Sequence, residues 1–227
     1  MAQGSSSSGH RGAKVELSVL QAIRRYYSDV DTDVRVHHEA VSRTKEHATS
    51  VARYLDLILA RVEAPQIEEY AKCVKIRGYL DSDAAAVPAS REAVLDYIAS
   101  KRQPYVGFGV FLSWVAPCAL VRLGCQTISP TGELIVDPSA APAKAVRTRD
   151  AIQEAVARHP FQVLTEQDLL VPVEVDLDVV RRVDGSLVLP PLNVGKCLFY
   201  PWWEGNPAPS PGPTVEAQQT ETPDRGG

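Results

Sequence analysis

The sequence is poor in the features that usually announce a chemistry. Its four cysteines, Cys73, Cys118, Cys125 and Cys197, form no C-x-x-C pair, so zinc-site and thioredoxin-type spacings are excluded. No Lys/Arg run exceeds two residues and the net charge is −4. That balance lacks the electrostatic footprint of a phosphate-backbone binder, and no nucleic-acid partner is expected. The densest apolar stretch, residues 105–121, is broken by glycine and proline and is too short for a membrane span. The opening MAQGSSSSGHRGAK has no apolar core, so no secretory signal is expected. Scattered cysteines in apolar contexts read as buried thiols of a reducing compartment. The expectation is a soluble, cytoplasmic protein.

Catalytic motifs are missing as well. There is no G-x-S-x-G, no P-loop and no G-x-G-x-x-G, which removes the common hydrolase, phosphate and dinucleotide signatures. Asp29-x-Asp31-x-Asp33 opens like a calcium loop, but Val34 stands where glycine is needed and Ala40 where glutamate is needed. His37-His38-Glu39 fails as a zinc motif because H-E-x-x-H requires histidine where Ser42 stands. Asp81-Ser82-Asp83 has the form of a magnesium-holding carboxylate pair, yet no Gly-Ser phosphate loop accompanies it. Ser113, Cys118 and Cys125 lie in the apolar stretch with His159 the only histidine beyond it, a poor basis for an activated nucleophile. No catalytic residue, metal or cofactor is assigned.

What is present is an ordinary globular composition. The chain has 227 residues, 44% hydrophobic and 23% charged, enough to bury a core without disulfides or metal. Residues 1–13 are Gly/Ser-rich and read as disordered. Residues 14–102 read as a helical part. Leu20, Ile23, Tyr27 and Val30 recur at helical spacing in a first helix, 14–28. Val41, Thr44, Ala48, Val51, Tyr54, Leu55, Ile58, Leu59 and Val62 then make a stripe along a long amphipathic helix, 34–64. Residues 68–80 read as a third helix, with a strand over 74–80 as the alternative. Ser90 is an N-cap for a short helix over 91–101.

Residues 103–203 read as an antiparallel sheet with one helix. Val106, Phe108, Val110, Leu112 and Trp114 alternate onto one strand face, and Gly107 and Gly109 fall on the other. Two glycines on one face imply that another backbone or a helix approaches there. Pro117 marks the turn, and a second strand, 119–125, carries Arg122 as the one charge in the hairpin. A short third strand covers 133–136. A helix over 142–158 turns Ala145, Ile152, Ala155 and Val156 inward, and a short strand at 161–164 follows. Thr165 and Asp168 have capping-box spacing. Residues 173–183 read as a strand turning at Asp184-Gly185, and 194–200 as a final strand. From Glu204 onward the Pro-rich tail reads as disordered. The fold class is therefore α+β, with an N-terminal helical layer packed on a mostly antiparallel sheet.

The order of an aromatic strand, Ser113, Pro117, Arg122, Gly132-Glu133, HPFQVLTEQDLLVPV and a closing VGKCLFYPWW resembles small bacterial α+β proteins of the immunity type. The likeness covers about residues 104–203. It implies a non-catalytic protein-binding module that neutralises a partner toxin. Candidate binding residues are Arg122, which can grip an anion bidentately, and the closing Tyr200, Trp202, Trp203 and Glu204, which have the makeup of an interface anchor. Two other classes stay open: a nucleotide-binding or nucleotidyltransferase-like enzyme using Asp81, Asp83 and Arg122, and an oligomer built through the long helix.

Overall fold

The computed structural model describes residues 15–28, 34–67, 71–88, 90–174 and 192–199. Its architecture is α+β: seven α-helices and one seven-stranded, mostly antiparallel sheet among the described residues. The sheet grows outward from the hairpin read in the sequence. Strand β4, Tyr105–Ser113, pairs antiparallel with β5, Cys118–Ile128, placing Val110 opposite Val121 and Gly107 opposite Gly124. On its other side β4 pairs antiparallel with β3, Cys73–Tyr79, placing Leu112 opposite Val74. Residues 73–79 thus take the strand alternative. Two short strands, β1 (Arg61–Val62) and β2 (Gln66–Ile67), close the outer edge of β3. Beyond β5 lie β6, Leu134–Val136, and β7, Gln162–Leu164, the latter parallel to β5.

One face of this sheet is packed by helices. Helix α2, Val34–Leu55, and helix α5, Ala143–Ala157, lay Ala48, Val51, Leu55, Ala145, Ile152 and Val156 onto it. They meet Val74, Ile76, Val106, Phe108, Val110, Leu112 and Val121, the alternate residues of three strands. The expected inward set of α5 is buried in full.

The long helix ends earlier than its apolar stripe predicts. It stops at Leu55, and residues 56–60 turn back so that the Ala60 amide donates to the Tyr79 carbonyl at 2.9 Å and Glu63 to Arg77 at 2.8 Å. The edge of β3 captures this segment. Leu59 is still buried, now from the turn, so a helical spacing is met by a non-helical chain. The final segment also departs from expectation. Residues expected as a strand form α7, Val194–Leu198, started by the Asn193 side chain accepting from the Lys196 amide at 2.8 Å. A run as uniformly buried as Val194, Cys197, Leu198 and Phe199 has no period to separate helix from strand.

Among the described residues, the opposite face of the sheet is covered at its two ends. At one end, helix α1, Leu17–Ser28, and α7 bury Val19, Ile23, Tyr27, Leu198 and Phe199 against Cys73, Phe111, Cys118 and Leu120. The Tyr27 hydroxyl donates to the Cys197 carbonyl at 2.9 Å and Lys72 N–H to the Phe199 carbonyl at 2.8 Å, locking α7 in place. At the other end, helices α3 (Ser82–Ala85) and α4 (Arg91–Lys101) set Ala84, Val94, Tyr97 and Ile98 beside Tyr79 and Tyr105. No helix among the described residues is long and apolar enough to cross a membrane.

Candidate functional site

Between those two clusters lies a strip of sheet that neither cluster covers among the described residues. Its floor is made by Gly107, Gly109 and Gly124, consecutive positions of one face on β4 and β5. One of these glycines has a structural cause among the described residues. The Phe111 ring leans back over Gly109, and a Cβ there would come within 2.8 Å. An aromatic ring of the same strand therefore occupies the space over Gly109, where another backbone or a helix was expected. At Gly107 a Cβ would make ordinary contact with the Tyr79 ring, at 3.5 Å. Gly124 is equally roomy. It is exposed, and among the described residues a Cβ would meet only the Gly107 carbonyl, at 3.6 Å.

The charges of the strip are of one sign. Strands β3, β4 and β5 hold three charged residues, Lys75, Arg77 and Arg122, and period-two alternation puts all three on the glycine face. Arg77 and Arg122 both pair with Gly109, one from each side. Two strand spacings separate their Cα atoms by about 10 Å. Lys75 stands 5.7 Å from the Phe111 ring centroid, within cation–π range. Acidic partners come from outside the three strands. Glu166, in the first turn of α6 (Glu166–Leu169), accepts from Arg122 Nε at 2.7 Å, and Glu63 lies 3.9 Å from Arg77. Helix α6 is placed by the capping box expected from Thr165 and Asp168: each side chain bonds the other's backbone amide, at 2.7 and 3.3 Å.

Tyr79 and Tyr105 form the rim. Their ring centroids are 6.3 Å apart, and the Tyr79 hydroxyl donates to Glu63 at 3.3 Å. Burial first, then the Tyr105 hydroxyl and the Glu63 carboxylate, push the Tyr79 phenol upward in pKa, and burial does the same for Tyr105. Both remain neutral hydrogen-bonding groups at physiological pH.

The other sequence candidates are placed elsewhere. Asp81 caps α3: its Oδ1 accepts from the Asp83 amide at 2.8 Å, and its Oδ2 accepts from the Tyr97 hydroxyl at 2.8 Å and from Gln103 at 3.1 Å. These bonds, the Asp83 amide foremost, hold its pKa down. Asp83 pairs with Lys101. Both carboxylates are thus engaged with protein donors, and Arg122 lies on a different part of the sheet. Ser113 is buried, accepting from the Val115 amide and donating to the Lys72 carbonyl, both at 3.2 Å, which fits a strand-end fastener. All four cysteines are buried free thiols, and burial pushes Cys118 and Cys197 up to about 12, far from reactive thiolates. Among the described residues no three His, Cys, Asp or Glu side chains gather as a metal site would require. Asp29 to Asp33, Tyr200, Trp202, Trp203 and Glu204 lie outside the described residues.

Arg122 is visible in the sequence as a lone charge in an apolar hairpin. Lys75, Arg77 and Tyr79 are not singled out there, although C-V-K-I-R-G-Y alternates with period two, the one signal that could have found them. No protein-family model, no curated protein and no solved structure matches the chain.

Proposed function

We propose that the chain is a non-catalytic protein-binding module whose partner docks on the glycine-floored strip of the sheet. The observation that carries this reading is Gly124. It lies inside a strand of eleven residues, exposed and with no side chain over it among the described residues. Glycine weakens a strand interior by about 0.5–1 kcal/mol relative to alanine. The Phe111 ring accounts for Gly109; at Gly107 and Gly124, where a Cβ would meet nothing closer than 3.5 Å among the described residues, a close-approaching partner accounts for the glycine. Arginine and tyrosine beside it, Arg77, Arg122, Tyr79 and Tyr105, are residue types enriched in binding hot spots. The resemblance to bacterial immunity-type proteins supports the narrower reading, in which the partner is a toxin that the module neutralises by covering it.

Gly124→Trp blocks the strip without changing charge, and a thermal melt checks that it folds. Tagged wild type and Gly124→Trp should be compared for the proteins they retain in stoichiometric amount. The expected result is a partner kept by wild type and lost by the variant, and for the narrower reading a partner that halts growth when expressed alone. Identical retention by both proteins would remove the strip from the binding surface.

A further inference from the structure

We propose that the outer edge of β6 takes an added strand from a protein partner: an extended antiparallel segment in which two basic residues flank a short β-branched run. This surface is separate from the glycine strip. The argument begins from backbone bonding. The Asp137 amide donates to the Cys125 carbonyl at 2.9 Å, and the Ser129 amide donates to the Glu133 carbonyl at 2.8 Å. Residues 133 and 137 therefore face β5, and alternation adds Ile135, the register partner of Thr127. Leu134 and Val136 turn their N–H and C=O groups the other way, outward. Among the described residues no strand pairs with that side of β6. The groups repeat at about 7 Å, the spacing that an added strand matches.

The side chains of this edge say what the added strand carries. Ile135 and Val136 are each 39% exposed, while Leu134 packs toward Tyr97 and Ile98 and anchors the strand. An exposed apolar edge with no lysine, proline or bulge in it is a template for pairing. The opposite margin of the sheet offers less, since β1 and β2 have two residues each and Pro65 lies between them. Charge then selects the occupant. From Leu123 to Ala143 the chain has no basic residue and two acids, Glu133 and Asp137, one at each end of β6. Asp137 Oδ1 accepts from the Ser139 hydroxyl at 2.6 Å and amide at 2.9 Å, which holds its pKa down and keeps it charged. A second copy paired antiparallel through β6 would set Glu133 opposite Asp137, acid against acid, which disfavours a dimer. A partner strand with lysine or arginine at both positions, four residues apart, meets both acids. Between them, β-branched residues lie opposite Leu134, Ile135 and Val136.

The test uses the full chain and three labelled peptides read by fluorescence anisotropy. One has the core Lys-Val-Thr-Val-Lys, one has glutamate in place of both lysines, and one is the lysine peptide with both valine amides N-methylated. The lysine peptide should bind at least about tenfold tighter than the glutamate peptide at low salt, with the advantage shrinking at high salt. N-methylation removes the two donors that would meet the Leu134 and Val136 carbonyls and should weaken binding at least about tenfold. Val136→Pro removes an outward N–H while the bonds of β6 to β5 pass through its neighbours. It should lose the lysine peptide to a similar extent and keep a melting temperature close to wild type. Glu133→Lys should shift the preference toward the glutamate peptide. If Val136→Pro fails to fold, the N-methylated peptide and Glu133→Lys still decide. Equal binding of the N-methylated peptide overturns strand addition, and equal binding of the glutamate peptide overturns the basic partner. No binding by any peptide overturns both. A wild-type dimer in light scattering that Val136→Pro dissolves overturns the proposal in favour of a second copy. Peptide affinity reads the edge, and protein retention by Gly124→Trp reads the strip, so either can fail alone.

Discussion

The two faces of this sheet are made by the same three strands and have opposite characters. On the helix face, Val74, Ile76, Val106, Phe108, Val110, Leu112 and Val121 form one unbroken apolar surface under α2 and α5. On the other face the apolar surface splits into two clusters, and glycines and basic side chains fill the gap. Period-two alternation lets one backbone carry both patterns without compromise. The filled face holds the strands in place, which leaves the open face free to present charge and bare backbone. Substitutions on the two faces should therefore differ in size, and at one position in sign.

The largest effect belongs to the filled face. Leu112 is fully buried in the helix-face core, and Leu112→Ala should cost about 2–5 kcal/mol through lost burial and the cavity left behind. Arg122→Gln, on the other face of the neighbouring strand, should cost less, about 1–2 kcal/mol, because the arginine is mostly buried but its partner Glu166 is half-exposed. Urea denaturation of both variants measures the contrast. Equal losses would mean that the open face is as structural as the filled one.

Glycines give a finer version of the comparison. Gly78 lies on the filled face, where a Cβ would come within 2.3 Å of Leu59 Cδ1. Gly78→Ala should cost about 1–3 kcal/mol, since Leu59 must leave a packed seat. Gly124 lies on the open face, where among the described residues a Cβ would meet only the Gly107 carbonyl, at 3.6 Å. Gly124→Thr should raise stability by about 0.5–1 kcal/mol, from reduced chain entropy and better strand propensity. Thermal melts of the two variants should move in opposite directions. A destabilised Gly124→Thr would show that the protein's own fold needs that space, and would withdraw the main support for docking there.

Much of the fold, most of it on the filled face, was legible in the sequence because it is local and periodic. The alternation Val106 to Leu112, the inward set of α5 and the Thr165–Asp168 capping box all declare themselves within a few residues, and the structure has each of them. The segment after Leu55 was not legible, because Ile58, Leu59 and Val62 satisfy a helical stripe while the edge of β3 takes the chain into a turn and strand. Nor was the short helix at Val194–Leu198, whose residues are all buried and so show no period. On the open face, Arg122 stands out as a single charge, but its relation to Arg77 does not. The two are 45 residues apart in sequence and meet only through the register of both with Gly109. Such a row is created by strand pairing, and no window of local sequence contains it.

The smallest effect expected is one of pH, at the border of the filled face. His159, just beyond α5, stacks edge-on with His47 of α2 at 5.6 Å between centroids, and Phe161 packs on His47 at 5.5 Å. Burial first, and then the charge of His47, hold the His159 pKa below its ordinary value of 6.5. The unfolded chain therefore binds more protons than the folded one in this range. The stabilising contribution of neutral His159 is complete above pH 6.5 and is lost as pH falls through that value toward the lowered folded one. The carboxylates of Asp81 and Asp137 are shifted downward, so their contributions are lost only below the usual carboxylate range. A window from about pH 7.5 to 5.5 thus isolates the histidines. The urea midpoint should fall across that window in wild type, and the fall should shrink in His159→Gln. An unchanged fall in the variant would assign the pH dependence to other groups. A fall that shrinks would place a proton-sensitive joint between α2 and α5, on the filled face, where it leaves docking on the open face unaltered.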